Sequence, residues 1–385
     1  MVVLAVCAAR AIYKPEDGDF KLHWEFGRRF LAGEFLYTGG HHLPYPPFWA
    51  MAHAPVALVP LPIGKALLFP IGVAALLALL SILRRLGAPA FRLSATEAFW
   101  AAAFALLLAS RYVIRDMAEV GVNTALVLLT WSAIYLWRQE RDALAAMSLG
   151  AAVALKCTPA IFAAFFLWKR QWRMAAFTAF AAFCFTFAPV VWQGPPQHAA
   201  HMRTWLTNAW RLGGGDPAAA MMESKLVRNM SLGATVASYL PQWPSTVRSG
   251  LVKLSLVATV GAVMWWSRHA PRSRHDPRVL WEFSAVSIVM LLVSPITWGQ
   301  HCVALLPPAY FIGALFATRR QLPRWMWTLL GLYIFFVLAL SRDLLGKDLA
   351  LRLASYHVET VAILGLLAVV LGARRWHTSA RKALA

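Results

Sequence analysis

The chain has 385 residues, 59% hydrophobic and only 14% charged, with 18 Trp and 22 Phe. Apolar runs recur along its whole length at about the 17–25 residues a membrane-crossing helix takes, which excludes an ordinary soluble domain; runs such as FPIGVAALLALLSIL, apolar on every side, exclude a β-barrel. The net charge of +20 does not point to nucleic acid, because the basic residues sit in short loops between apolar runs and not on one aromatic-rich segment.

The expected fold is therefore all-α, a polytopic integral membrane protein with a single transmembrane domain over residues 1–385. Residues 1–13, MVVLAVCAARAIY, lack a basic n-region and an A-x-A site and read as the outer part of a first transmembrane helix. Next comes KPEDGDFKLHWEF, residues 14–26, which clusters Glu16, Asp17 and Asp19 where that helix ends. Residues 14–64 form a first extracytoplasmic loop with interfacial helices, including PFWAMAHAPVALVPLP at 47–62. Spans follow near 65–83, 97–112, 120–137, 172–192, 249–266, 280–294, 301–317, 325–341 and 357–373. Residues 143–168 read as a re-entrant hairpin of two half-helices turning at KCTP, since proline ends a helix early and irregular backbone at membrane depth is tolerated where it lines a cavity. Counting the hairpin as two gives about 12 membrane segments.

The loops alternate in character. One set is short and basic: Arg84, Arg85 and Arg92; Arg138 and Arg141; Lys169, Arg170 and Arg173; Arg268 to Arg278; Arg319, Arg320 and Arg324; and the C-terminal tail. The positive-inside rule places these in the cytoplasm. The other set, 14–64, 112–119, 193–248, 295–300 and 342–356, carries acids, His, Gly and Pro and is expected to face outward with the active site; 193–248 is the second large extracytoplasmic loop.

Several side chains stand out, each with a structural alternative. Asp19 precedes FKLHWEFGRRFL and suits a helix N-cap. Tyr45, Pro46 and Pro47 set an extended entry into a helix. Arg115 with Asp116 reads either as a local ion pair or as part of a site, and Asn123 and Asn229 as bonds between helices or as ligand contacts. Lys156 is an ionisable group at membrane depth, which faces an interior or wet cavity or snorkels along its stem. His301 follows Trp298 at the outer end of a span. Trp49, Trp100, Trp131, Trp137, Trp168, Trp172, Trp192 and Trp298 fall near span ends, as an aromatic belt would place them. Cys7, Cys157, Cys184 and Cys302 have no paired spacing, and His41 and His42 have no companion at ligand spacing, so neither disulfide, metal nor cofactor is expected.

Five stretches taken together, DGDF...FLAGEFLY...LPYPPF, RYVIRDMAEVGVN, GAAVALKCTPAIFAAFFLWKRQWR, RNMSLGATV and LLVSPITWGQHCVALLPP, resemble the polyprenyl-phosphate-sugar-dependent glycosyltransferases of the GT-C class, specifically glycosyltransferase family 87 with its bacterial membrane mannosyltransferases. The resemblance runs from residue 17 to 308. It implies that Asp19 is the general base, with Asp17 the second choice, and that Lys156, His301, Asn123, Asn229, Arg115 and Tyr45 serve donor or acceptor binding. It also implies transfer of one sugar, mannose first, from a polyprenyl phosphate donor to a lipid or glycan acceptor, with inversion, on the outer side of a bacterial inner membrane. The partners it implies are the donor, the acceptor and membrane lipid, and no nucleic acid is expected. The chain departs from the family pattern at VGVN, where relatives keep a Gln before the Val, at Asn229–Met230–Ser231, and at Gln300–His301, where relatives place two histidines. The rival reading is a transporter or flippase of a lipid-linked sugar, which would call for ionisable residues at mid-membrane in several helices and an internal repeat; a non-catalytic assembly factor is a third.

Overall fold

The computed structural model of the chain describes residues 8–9, 19–38, 45–214, 226–269, 273–318, 322–340 and 342–382. Among them there are helices and turns and no strands, as an all-α membrane protein requires. Helix α1 (Phe20–Leu31) is amphipathic: Phe20, His23, Phe26 and Phe30 recur every third or fourth residue on the buried face, and Lys21 and Arg28 point out. Helix α2 (Pro47–His53) opens with proline in its first turn, where no N–H is needed, and a 3₁₀ turn over Pro55–Leu58 follows.

There follow α3 (Leu61–Phe91), α4 (Ala95–Ala118), α5 (Asn123–Arg138), α6 (Asp142–Leu155), α7 (Ala160–Trp168), α8 (Trp172–Phe187), the single turn α9 (Val190–Gln193) and α10 (Pro195–Gly214). The remainder is α11 (Leu232–Ser238), α12 (Ser245–Trp266), α13 (Arg278–Val293), a 3₁₀ segment Gly299–Leu305, α14 (Leu306–Thr318), α15 (Arg324–Ile334) continuing as a π turn Phe335–Ala339, α16 (Arg342–Leu345), α17 (Lys347–Ser355) and α18 (Val358–Lys382).

Among the described residues five helical stretches are long and apolar enough to cross a membrane, 61–91, 95–118, 172–193, 245–266 and 299–318; a sixth is the pair 348–355 and 358–374, bent by 57°. The spans expected near 120–137 and 280–294 are helices of 16 residues each, about 24 Å at 1.5 Å per residue, and so shorter than a bilayer's apolar core.

The break expected at KCTP is present. Helix α6 stops at Leu155 and Lys156 turns extended, at φ −153° and ψ 123°. Pro159 explains where: its ring lacks a donor and would collide with the carbonyl four residues back, that of Leu155. Helix α7 restarts immediately after it, so Lys156 lies between two helix ends.

The chain divides into two compact units, residues 1–82 with 113–211, and residues 83–112 with 212–385. In the first, α6 and α8 meet along small residues. A Cβ on Gly150 would lie 2.6 Å from the Cβ of Ala181 and 2.7 Å from the amide nitrogen of Ala182, so backbones approach to a distance only glycine allows. A second cluster of Phe26, Phe30, Leu36, Trp49, Ala50 and Leu126 fixes α1 and α2 over α5; each large side chain so buried contributes about 1.5–3 kcal/mol.

In the second unit α13 and α14 are buried on nearly every side, with Trp281, Phe283, Tyr310 and Phe311 fully enclosed. Two ion pairs tie helices there. Arg374 reaches Glu282 at 2.6 Å and the Trp266 carbonyl at 2.9 Å. Arg111 pairs with Glu359 and donates to the Val337 carbonyl at 3.1 Å. That carbonyl belongs to the π turn, whose altered hydrogen bonding leaves it to a side chain.

The interfacial belt expected of the tryptophans needs correction. Trp49, Trp131 and Trp137 are buried inside the protein, whereas Trp100, Trp172 and Trp192 are exposed as expected. Position near the end of an apolar run does not say whether a ring faces lipid or a neighbouring helix.

Candidate active site

The first unit gathers four of the side chains singled out from the sequence: Asp19, Tyr45, Asn123 and Lys156. Asp19 occupies the N-cap position of α1, but its backbone is helical, at φ −73° and ψ −18°, and its side chain makes no capping hydrogen bond. A capping side chain requires an extended backbone at that position, so the simple structural role is not taken up. Its carboxylate acts electrostatically on Lys156 and on the Tyr45 hydroxyl.

Lys156 is held from below. Its Nζ donates to Asn123 Oδ1 at 3.4 Å, and Asn123 Nδ2 donates to Asp116 Oδ1 at 2.9 Å. The other Asp116 oxygen accepts from the Thr124 amide at 3.0 Å and the Thr124 hydroxyl at 2.7 Å. Asp116 is fully buried and, from the end of α4, satisfies the first free N–H groups of α5. Val120 in the intervening turn has φ 49°. Gly121 must lack a side chain, because a Cβ there would overlap the Asp116 carboxylate. The glycine in VGVN is thus explained by this carboxylate. The result is a relay of Asp116, Asn123 and Lys156, with the Asp19 and Asp116 carboxylates both acting on the ammonium.

Above the ammonium lies an aromatic stack. Lys156 Nζ is 5.9 Å from the Tyr45 ring centre, within cation–π range. Tyr45 stacks on Trp49 at 4.3 Å, and Trp49 on His53 at 4.8 Å. His23 stands edge-on to Tyr45 and Trp49 and accepts from Trp49 Nε1 at 3.1 Å. The Tyr45 carbonyl accepts the Tyr37 hydroxyl at 2.7 Å. Burial lowers the pKa of His23 well below the usual imidazole value, helped by the charges of His53 and Lys156, and brings His53 to about 4. Burial and the Asp19 carboxylate raise that of Tyr45. These rings are therefore neutral near pH 7.

Beside this cluster is an apolar groove of about 430 Å³, lined by Trp49, His53, Leu67, Ile71, Val122 and Leu155, among others. Two of its walls, Val122 and Leu155, directly precede Asn123 and Lys156 in the chain. Leu67 and Ile71 are exposed residues of α3, a helix of membrane-crossing length.

The remaining predicted residues are placed differently. Arg115 does not pair with Asp116; it bridges to Glu119 at 3.3 Å, and half of its side chain is exposed. Asn229 and His301 belong to the second unit. Asn229 is fully buried; its Nδ2 donates to the Pro295 carbonyl at 2.8 Å, and its Oδ1 accepts from the amides of Ser231 at 3.1 Å and Thr297 at 2.8 Å. His301 Nδ1 accepts from the Trp298 amide at 3.2 Å. Asp17, His41 and His42 lie outside the described residues. Among the described residues no three His, Cys, Asp or Glu side chains are grouped to hold a metal.

Reading the sequence missed the inward role of Asp116 and the stacking of Trp49, His23 and His53. The spacing of Asp116 from Asn123, across a helix end and a glycine turn, was the available signal.

A helical chain of membrane type that sets a carboxylate against an ammonium beside an apolar groove is, in outline, an integral membrane enzyme. Comparison with known families resolves the class: residues 43–295 match the model of glycosyltransferase family 87. The chain belongs to that family and is a glycosyltransferase. The match includes Tyr45, Arg115, Asn123, Lys156 and Asn229; Asp19 and His301 fall outside it.

Two curated relatives, each named as a polyprenol-phosphate-mannose-dependent alpha-(1-2)-phosphatidylinositol mannoside mannosyltransferase, come from Mycobacterium tuberculosis and Mycolicibacterium smegmatis. The first is 26% identical over 344 residues, 84% of this chain and 76% of the relative. The second is 27% identical over 333 residues, 80% of this chain and 72% of the relative. Among solved structures, ArnT from Cupriavidus metallidurans bound to undecaprenyl phosphate aligns with a TM-score of 0.43 at 16% identity, covering 98% of this chain and 78% of that one.

Proposed function

We propose that the protein transfers mannose from a polyprenyl-phosphate donor to a lipid or glycan acceptor, with inversion, at the extracytoplasmic face of a bacterial inner membrane. The observation that carries this reading is the convergence of Asp19, Lys156 and the Asp116–Asn123 relay next to the apolar groove. The family match and the donor named for both mycobacterial relatives support it.

In the proposed step an acceptor hydroxyl oxygen attacks the anomeric carbon as the bond from that carbon to the phosphate oxygen breaks. The electron pair of the broken bond leaves with the polyprenyl phosphate. Asp19 takes the hydroxyl proton as the new bond forms, which is the task of a general base. Lys156 faces the charge growing on the leaving phosphate, where a fixed cation in a water-poor site is most effective. Asn123 and Asp116 position that cation. The groove receives the first isoprene units of the donor, so that the phosphate at their end comes to Lys156.

The break between α6 and α7 fits a re-entrant hairpin, since neither half is long enough to cross alone. It would bring Lys156 to cavity depth. With the expected first helix and the shorter helices counted, this arrangement gives the twelve-segment topology, with 14–64 and 193–248 outside.

The test is incubation of the purified protein in bilayer discs with polyprenyl-phosphate [¹⁴C]mannose and a lipid extract. Radiolabel should move to a new product while free polyprenyl phosphate accumulates. Translocation of intact donor across sealed vesicles with no new glycosidic product would instead establish the flippase reading. Sidedness is read by single-cysteine labelling in intact cells: position 35 should be reached by an impermeant reagent and position 380 should not.

A further inference from the structure

A second polar cluster lies in the first unit, at the start of α10, and the proposed step leaves it unused. His201 Nε2 accepts the Leu36 amide at 3.2 Å, so its proton resides on Nδ1, which meets Gln193 Oε1 at 3.1 Å. That bond fixes which way the Gln193 amide faces. Its Nε2 is buried and, among the described residues, bonded to nothing; the same holds for both ring nitrogens of His198, one turn earlier on α10 and 2% exposed.

Three buried polar atoms without partners are an expensive arrangement, about 1–3 kcal/mol for each group. Packing alone does not call for them, because Phe or Leu would fill the same space. In native proteins such groups call for a specific explanation, a functional role or a bound partner among them.

The surroundings indicate the chemistry of that guest. Phe187 lies 5.4 Å from the His198 ring, and Phe35 4.8 Å and Tyr37 6.1 Å from the His201 ring. Trp192, largely exposed, stacks on Phe30 at 6.2 Å. Burial keeps both imidazoles neutral, His201 at about 4 with His198 adding to the effect. An anion therefore finds no cation in this imidazole pair. Hydroxyl groups can both donate to a ring nitrogen and accept from an amide, and the C–H faces of a polyol or sugar ring lie flat on aromatic rings. The cluster is also joined to the candidate active site: Tyr37, at the edge of His201, donates its hydroxyl to the carbonyl of Tyr45, whose ring covers Lys156.

We propose that Gln193, His198 and His201 form a subsite for an uncharged, hydroxyl-rich ring, the sugar or polyol headgroup of the acceptor. The identification of that ring with the acceptor rests on the transferase reading above; the subsite itself does not.

The experiment uses the full-length protein in bilayer discs and two probes, methyl α-mannopyranoside and myo-inositol, followed by saturation-transfer NMR. His198→Phe removes two unpartnered atoms and keeps the bulk, so it should melt at or above the wild-type temperature; Gln193→Leu also takes the acceptor from the His201 Nδ1–H, so it should melt somewhat lower while staying folded. The wild type should show saturation transfer to at least one probe, and both variants should lose it. In the transfer assay the variants should raise the acceptor KM tenfold or more with donor KM unchanged. No saturation transfer in the wild type, or a signal that survives in a folded variant, overturns the subsite and means that water alone occupies it; an unchanged acceptor KM overturns its assignment to the acceptor. Should His198→Phe fail to fold, Gln193→Leu carries the same decision. Loss of probe binding in the variants of a protein that transfers no mannose would uphold the subsite and refute the proposed mannose transfer.

Discussion

Replacing Asp19 by Asn separates the two roles that this residue could have. A capping side chain is worth about 1 kcal/mol, and an amide oxygen supplies most of it. Asp19 has a helical backbone and makes no capping bond, so Asp19→Asn, which keeps the side chain's size and an accepting oxygen, should leave the protein folded with a change in unfolding free energy of about 1 kcal/mol or less. The amide cannot take a proton. Loss of a general base lowers the rate by about 10²–10⁴, a barrier increase of at least about 2.7 kcal/mol. Thermal unfolding in bilayer discs and initial rates from polyprenyl-phosphate [¹⁴C]mannose measure the two quantities on one preparation. Asp17→Asn serves as the control and should be much milder. Activity of Asp19→Asn within threefold of wild type would refute the assignment. So would an Asp19→Asn protein that is unfolded at the assay temperature, because lost structure would then account for the defect; an inactive Asp17→Asn beside an active Asp19→Asn would move the base two residues upstream.

Lys156→Met removes the ammonium and relieves its burial, so the variant should accumulate normally; its kcat/KM should fall by about 10²-fold or more, as when a transition-state charge partner is lost, and wild-type kinetics in this variant would remove Lys156 from the mechanism. Asn229→Ala should act on stability instead: it strands the Pro295 carbonyl and the amides of Ser231 and Thr297, a cost of about 2–5 kcal/mol in non-additive sum, read as a lower melting temperature. Donor and acceptor KM of the folded fraction should stay unchanged, and a selective KM change with normal stability would return Asn229 to the binding site.

What could be read in the sequence depended on whether the signal was local. The helical break at 156–159 was legible because a proline acts on the carbonyl four residues behind it, and α1 because its buried face repeats with helical period. Trp49 was misread for a complementary reason: hydropathy reports how well a segment suits lipid, while its burial depends on Tyr45, His23 and His53 arriving from other turns of chain. Asp116 shows the same difficulty more sharply. Beside Arg115 it looks like half of a surface pair, and only when the Gly121 turn folds α5 back on α4 does its carboxylate meet Asn123 and Thr124. The departure at VGVN then takes on physical meaning. The position at which the family pattern has Gln is Gly121 here, and in this chain the Asp116 carboxylate fills the space that a side chain at 121 would take, while Asn123, which joins Asp116 to Lys156, is kept. In the proposed site the Lys156 ammonium is thus held by residues placed behind it, because Asp116, with room made by Gly121, fixes Asn123, and Asn123 accepts from Lys156.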